Sequence, residues 1–244
     1  MNALILAAGL GTRLGEYTRN TPKALVRVAG KPMLEHLILK LSKAGFDHIT
    51  VNVHHYGDQI IDFLASNGNF GLDITISDER GQMLDTGGGI RKAFHMQPAQ
   101  PLLVHNVDIF SDTDLRALYM EHIESESDAT LSTAQRETTR YLCFNSQDRL
   151  CGWLNTKTGE TRSPIQDFRA QDYAHRAFQG IHVLSPSLLP LLDQVSTESF
   201  SITDFYVNNS ASLDIRKSAL QASMWVDAGK PHALQAAAEI ASSY

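Results

Sequence analysis

MNALILAAGLGTRLGEYTRNTPKALVRVAGKP, residues 1–32, is the stretch whose reading decides the fold. Its apolar run Ala3-Leu4-Ile5-Leu6, followed by two alanines, predicts a short strand buried on both faces. Gly9, Gly11 and Gly15 then open the chain, with Thr12 and Arg13 among them. Glycines let backbone N–H groups converge on an anion, and the Arg13 guanidinium adds a bidentate fork. Lys23, directly after Pro22, supplies a second cation. The pattern is a strand feeding a loop that holds phosphates.

Two known phosphate loops fit less well. A P-loop requires Lys-Ser/Thr straight after its last glycine, and here Gly11 is followed by Thr12-Arg13. Gly9-x-Gly11-x-x-x-Gly15 approaches a dinucleotide fingerprint, which would make the chain an NADP-dependent oxidoreductase. That motif must open directly into a helix and find an acid at the end of the next strand. Pro22, Gly30 and Pro32 interrupt any such helix, and the run 48–53 ends without Asp or Glu. A long loop wrapped over a ligand is the better reading.

Working outward, residues 32–45 predict a helix, with Pro32 in its first turn, an apolar stripe through Leu34, Ile38 and Leu41, and Gly45 as the stop. Residues 49–53 and 72–76 predict strands around a helix at 58–65. Strands alternating with helices imply an α/β fold, a doubly wound, mostly parallel, Rossmann-like sheet, and ligands bind beyond the carboxyl ends of its strands. Asn52 falls on that rim. Gly87-Gly88-Gly89 predicts a turn whose bare backbone can meet a nucleobase, with Gly87 and Gly88 as the contacts. Residues 101–107 predict a strand closed by Asn106-Val107-Asp108. An aspartate there is costly unless a charge holds it, and Mg²⁺ bridging phosphates would serve. Asp112 and Asp114 suit the start of a helix over 113–123. Beyond it, residues 129–133 predict a strand, 141–161 antiparallel hairpins, 177–184 a strand, 186–192 a helix and 231–241 a closing helix. One domain of 244 residues is expected.

Three blocks occur in order: Leu6-Ala7-Ala8-Gly9-Leu10-Gly11-Thr12-Arg13, Thr21-Pro22-Lys23 and Gly30-Lys31-Pro32. Together they resemble the signature of the sugar-1-phosphate nucleotidyltransferases. Leu84-Asp85-Thr86-Gly87-Gly88-Gly89-Ile90 resembles the muramate-recycling subgroup, which activates N-acetylmuramate 1-phosphate with UTP. The resemblance implies a nucleotide-diphospho-sugar transferase fold, an NTP and a sugar 1-phosphate as partners, and Mg²⁺ held by Asp108 and by Asp227 of Trp225-Val226-Asp227-Ala228-Gly229. It further implies that Arg13 holds the β- and γ-phosphates and that Lys23 bridges the α-phosphate and the sugar phosphate. Ala8, Gly9, Gly11, Thr12 and Asn106 would line the nucleotide, with Gly180 the small residue over the sugar. The chain departs from the pattern at residues 156–160, where Thr-Lys-Thr-Gly-Glu stands in place of a Glu-Lys-Pro motif. Arg136 and Arg140 are candidates for the sugar substituent, with exposed surface arginines as the ordinary alternative. GTP with mannose 1-phosphate is the neighbouring reading, and a silent regulatory subunit is opposed by the intact cations and carboxylates.

The bulk numbers agree. A net charge of -6 argues against nonspecific nucleic-acid or anionic-membrane partners. No apolar run approaches the roughly 20 residues of a membrane span, and the apolar start lacks a signal peptide's basic flank. Two cysteines, Cys143 and Cys151, suggest free thiols in a reducing cytoplasm. His54-His55 lacks a third ligand at zinc spacing, His105 is expected to be a hydrogen-bonded strand residue, and no Gly-x-Ser-x-Gly elbow supports a hydrolase.

Overall fold

A computed structural model describes residues 1–97 and 99–242. β1 (Asn2–Leu6) leads into the glycine loop, which passes through two 3₁₀ turns to the short strands β2 (Arg27–Val28) and β3 (Lys31–Pro32). Then follow α1 (Met33–Lys43), β4 (His48–Val53), α2 (Gly57–Ser66), β5 (Asp73–Asp78), α3 (Asp85–Met96), β6 (Leu102–Asn106), β7 (Ile109–Ser111) and α4 (Leu115–Ser125). The second half holds β8 (Ala129–Ala134), β9 (Arg140–Phe144), β10 (Leu150–Asn155), β11 (Thr161–Arg162) and β12 (Ala174–Leu184). It closes with α5 (Leu189–Asp193), α6 (Ile202–Asn209), β13 (Ile215–Lys217), β14 (Trp225–Asp227) and α7 (Leu234–Ala241).

The main sheet runs β11-β10-β9-β12-β6-β1-β4-β5, with β8 and β13 branching from β12. β6, β1, β4 and β5 are parallel, as helical crossovers require. Helices on both faces explain why β1 is apolar throughout. Ala3 and Ile5 point into one core with Leu34, Ile38 and Ile60, while Leu4 points into a second with Ile90 and Phe94. β12 runs antiparallel to β6, and the hairpin strands β9, β10 and β11 extend the sheet beyond it. The expected doubly wound sheet with an antiparallel region is therefore present.

Two small features set the site. β12 shifts register against β8 between Phe178 and His182, with Gly180 at φ 73°. β14 pairs antiparallel with β7 so that Asp227 lies opposite Ile109, bringing it beside Asp108 although the two stand 119 positions apart in sequence. Asp112 anchors this pairing by accepting from the N–H groups of Ser223 and Met224, whereas Asp114 caps α4 by accepting from Ala117 N–H. Only one of the two acids thus begins the helix.

The expected turn at Gly87-Gly88-Gly89 is corrected: all three are buried in the first half of α3. Gly87 N–H donates to the Phe200 carbonyl at 2.8 Å, and a β-carbon on Gly88 would lie 2.1 Å from the Glu198 carbonyl oxygen. The missing side chains admit residues 198–200 against the helix, and Gly87 and Gly88 turn away from the cleft described below. Helical glycine ordinarily costs about 1 kcal/mol against alanine, so Gly→Ala in an uncrowded helix stabilises. Here overpacking against backbone should dominate at about 1–3 kcal/mol. Gly88→Ala should therefore lower the melting temperature by several degrees; an unchanged or raised value in thermal denaturation would contradict this packing.

Three of the buried histidines, His105, His122 and His182, are tuned by the interior. Burial lowers the pKa of His105 to about 3, of His122 to about 4 and of His182 to about 3, from 6.5. Each stays neutral in the fold and accepts a proton once unfolded, so acid favours the unfolded chain. The stability they permit is complete above pH 6.5 and lost progressively towards pH 3–4. By pH 5.5 each should have withdrawn about 1 kcal/mol. Urea unfolding at pH 7.5 and 5.5 tests this: a loss of a few kcal/mol is expected, and equal stability would refute it.

Candidate functional site

The glycine loop begins where β1 ends, and its first turn is pinned from below. Ala7 and Ala8 N–H both donate to Asn52 Oδ1, at 2.6 and 3.1 Å. Asn52 Nδ2 donates to Glu79 Oε1 at 2.9 Å, and Glu79 Oε2 accepts from Leu84 N–H at 3.4 Å. Burial pushes the Glu79 carboxyl up despite the bonds from Asn52 and Leu84. Asn52 Oδ1 is thus taken by two loop N–H groups and one Nδ2 hydrogen by Glu79, which makes Asn52 an internal brace; it also forms part of the cleft wall, where its expected nucleotide contact would be made.

Gly11 joins the first block to the second. Its φ is 67°, and a β-carbon there would lie 2.9 Å from both Lys23 Cβ and Thr18 Cγ2. The bare backbone lets Lys23 come in beneath the loop, where its ammonium donates to Asp108 Oδ2. Arg13 completes the cluster, with Nη1 3.3 Å from Asp227 Oδ2 and Nη2 3.9 Å from Asp108 Oδ2. Gly229 N–H donates to Asp227 Oδ1 at 2.8 Å. A β-carbon on Gly229 would stand 2.7 Å from Arg13 Nη2 and 2.9 Å from Asp108 Oδ2, so the third residue of Asp-x-Gly keeps the cluster closed.

The two carboxylates differ in setting. Asp108 is almost completely buried, and that burial, with the charge of Asp227, raises its pKa against the pull of Lys23. Asp227 is more open. Its partial burial is outweighed by the hydrogen bond with Asp108, the Gly229 N–H and the cations Arg13 and Lys23, which together hold it below the usual carboxylate range. Adjacent carboxylates that hydrogen-bond to each other repel when both ionised, so a cation between them is favoured. Among the described residues no third His, Cys, Asp or Glu joins them to form a protein-only metal cage. Two hard oxygen ligands at an open cleft fit Mg²⁺, which keeps waters and substrate phosphates in its shell.

A cleft of about 250 Å³ opens over this cluster, from Ala8 and Gly9 on one side to Met83, Asp85 and Thr86 on the other, with Asn106 between. Asn106 packs on Gly180, where a β-carbon would meet its Nδ2 at 2.8 Å. A larger cavity of about 640 Å³ lies between α1 and the start of α4, lined by Lys31, Lys40, Asp112 and Asp114 among others. It has no loop glycine, and its Asp112 is already engaged by Ser223 and Met224, so the smaller cleft, with the glycine loop and the ion cluster, is the candidate for phosphate chemistry.

Of the residues expected from sequence, Arg13, Lys23, Asp108 and Asp227 meet at the cleft, joined by Ala8, Gly9 and Asn106. Thr12 is exposed and outside its lining. Arg140 is exposed at the start of β9, and its guanidinium makes no hydrogen bond or ion pair among the described residues, so the structure does not bring it to the cluster. Sequence reasoning missed Glu79, Gly229 and Thr86, whose Oγ1 accepts from Ile202 N–H at 3.0 Å. Glu79 carries a signal: it stands just past the end of β5, as Asp108 stands past β6.

The sequence matches the MobA-like NTP transferase domain across residues 3–175. The chain belongs to this family. It is 32% identical to an N-acetylmuramate alpha-1-phosphate uridylyltransferase of Caulobacter vibrioides, over 80% of this chain and 84% of that one. It is 40% identical to the Neisseria meningitidis serogroup B protein of the same name, over 51% of this chain and 57% of the other. A D-glycero-alpha-D-manno-heptose 1-phosphate guanylyltransferase of Aneurinibacillus thermoaerophilus is 32% identical over 61% of this chain and 64% of its own length. Solved structures share the fold: HddC from Yersinia pseudotuberculosis complexed with GMP-PN has a TM-score of 0.74 at 23% identity, covering 98% of both chains. A UDP-glucose pyrophosphorylase complexed with UDP-glucose reaches 0.73 at 16% identity, covering 100% of this chain and 97% of that one.

The brace assigned to Asn52 is testable. Asn52→Ala would leave two buried N–H groups and the Glu79 carboxylate without their partner, costing about 2–4 kcal/mol of stability. Chemical denaturation measures this; a ligand-only role for Asn52 would leave the unfolding free energy unchanged.

Proposed function

We propose that this chain is a Mg²⁺-dependent sugar-1-phosphate nucleotidyltransferase that joins UTP and N-acetylmuramate 1-phosphate to give UDP-N-acetylmuramate and pyrophosphate. The observation that carries the reaction class is the cluster of Lys23, Arg13, Asp108 and Asp227 under a glycine loop at the carboxyl end of parallel strands. The likeness to the Caulobacter protein, over four-fifths of the chain, supports the choice of substrates.

The chemistry asks for placement and charge neutralisation. A phosphate monoester has a second pKa near ~6, so its attacking oxygen is ionised at neutral pH without a side-chain base. That oxygen forms a bond to the α-phosphorus of the nucleotide as the bond to pyrophosphate breaks, and the electron pair leaves with the pyrophosphate. Arg13, half exposed at the cleft mouth, can turn from Asp227 to the β- and γ-phosphates. Lys23, held below the loop on Asp108, would bridge the α-phosphate and the incoming sugar phosphate. The Gly9 backbone borders the nucleotide without side-chain bulk. Asp108 and Asp227 would hold Mg²⁺, which when bound neutralises the charge gathering on the phosphates.

Met83, Asp85 and Thr86 at the far wall of the cleft are the groups available to the base. Gly87 and Gly88 are packed inside α3, so no bare glycine turn is offered to the base. The UTP assignment rests on the relatives. No described helix is long and apolar enough to cross a membrane, which fits small soluble substrates.

Pyrophosphate release across UTP, GTP, CTP, ATP and dTTP, each with muramate, glucosamine and mannose 1-phosphates, tests the proposal. The highest kcat/KM should fall on UTP with N-acetylmuramate 1-phosphate, chelation should abolish it, and added Mg²⁺ should restore it. Asp108→Asn and Asp227→Asn should each reduce kcat about 10²–10³-fold with the fold intact. A GTP preference, or a mutant of either aspartate with near-normal Mg²⁺-dependent turnover, would reject this reading.

A further inference from the structure

Arg136 sits between β8 and β9, away from the ion cluster in sequence yet tied to it in space. Its guanidinium carbon lies 4.2 Å from the centroid of the Trp225 ring. Trp225 and Asp227 are two apart on β14 and share one face of that strand. The indole is itself fixed, since Nε1 donates to the Gln179 carbonyl at 3.0 Å, one residue before Gly180. Arg136 is therefore stacked on the rim that joins Asp227 to the Gly180 bulge.

Its polar contacts fall far short of its capacity. A guanidinium offers five N–H donors. Here Nη1 reaches the Glu137 carbonyl and Nη2 the Phe178 carbonyl, both at 3.5 Å, the outer limit of a hydrogen bond. Nε is buried with no partner. No carboxylate of the described residues forms an ion pair with it, although the negative field of Asp227 reaches it. Partial burial also lowers its pKa, the sign of a cation stripped of water and not repaid by a counter-ion. The stacked indole covers one face, so the guanidinium edge is what a ligand can meet. That edge borders a second cleft of about 430 Å³, shared with Gln135, Glu137, Tyr141, Thr156 and His175. Arg140, the other arginine of this region, has none of these restraints.

We propose that Arg136 is the specificity-determining residue that reads a carboxylate carried by the sugar, received edge-on and bidentate at the rim beside Trp225. This rests on the sugar 1-phosphate reading above and names the side chain that would give it selectivity. The phosphates already have Lys23 and Arg13. A planar fork held by stacking matches a planar carboxylate, the group that the 3-O-lactyl substituent of N-acetylmuramate adds to N-acetylglucosamine.

The two sugars make the test, because they differ only in the lactyl ether. With UTP, kcat/KM is measured for N-acetylmuramate 1-phosphate and N-acetylglucosamine 1-phosphate on wild type, Arg136→Ala and Arg136→Lys. The muramate-to-glucosamine ratio should fall about 30-fold or more in Arg136→Ala, through KM for the muramate substrate. Arg136→Lys, which keeps the charge and loses the fork, should recover only part of it, and its melting temperature separates this from misfolding. A parallel loss on both sugars would make Arg136 a general phosphate or packing contact and overturn the proposal, as would an unchanged ratio in both variants. Wild-type indifference to the lactyl group would instead reject the muramate assignment itself, visible before any variant is made.

Discussion

A carboxylate buried at the end of a parallel strand persists only where a cation reaches it, and here Lys23 reaches Asp108. Much of the local architecture follows from that contact. Gly11 must be glycine for the lysine to enter, Thr18 ties the loop back by donating to the Gly11 carbonyl, and the Asn52 brace fixes where the loop starts. Asp227 and Arg13 then complete a set of two negative and two positive groups. Such a set pairs its charges without substrate, and in the proposed reaction each cation would exchange a carboxylate for a phosphate while the carboxylates take the metal.

The small sheet of β7 and β14 carries Asp227 at the end of β14 and starts directly after Asp108, which brings the two carboxylates together. Asp112 holds its entry through Ser223 and Met224, and the Trp225 indole holds its face to β12 through the Gln179 carbonyl. The register shift of β12 presents that carbonyl and brings Gly180 against Asn106. One bulge therefore positions Asn106 in the cleft wall, the indole under Arg136 and, through β14, the second carboxylate.

The sequence was most legible where local rules and burial agree. The run Ala3 to Leu6, the stripe of α1 with Pro32 and Gly45 at its ends, and the strand before Asp108 each declared themselves. Asp227 was also readable, through its motif. What sequence could not express was consumption of polar groups by partners distant in the chain. Asn52 reads only as a ligand contact in sequence, and its use by Ala7, Ala8 and Glu79 as a brace shows only in the fold. Gly87 and Gly88 read as a turn because glycine disfavours helices, and only residues 198–200, more than a hundred positions on, explain why bare backbone is needed in α3. Arg136 and Arg140 look alike in sequence, and only the fold shows that one is partly buried and stacked on Trp225 while the other is exposed at the start of β9.

The central claim is that Lys23 and Arg13 are phosphate ligands held in reserve by Asp108 and Asp227. The most direct measurement is a crystal structure with Mg²⁺ and a non-hydrolysable UTP analogue. The account predicts the triphosphate in the cleft over Gly9, Arg13 turned from Asp227 to the β- and γ-phosphates, Lys23 on the α-phosphate, and the metal between the two aspartates. A nucleotide bound elsewhere, with the four charged groups still paired as they are here, would contradict it.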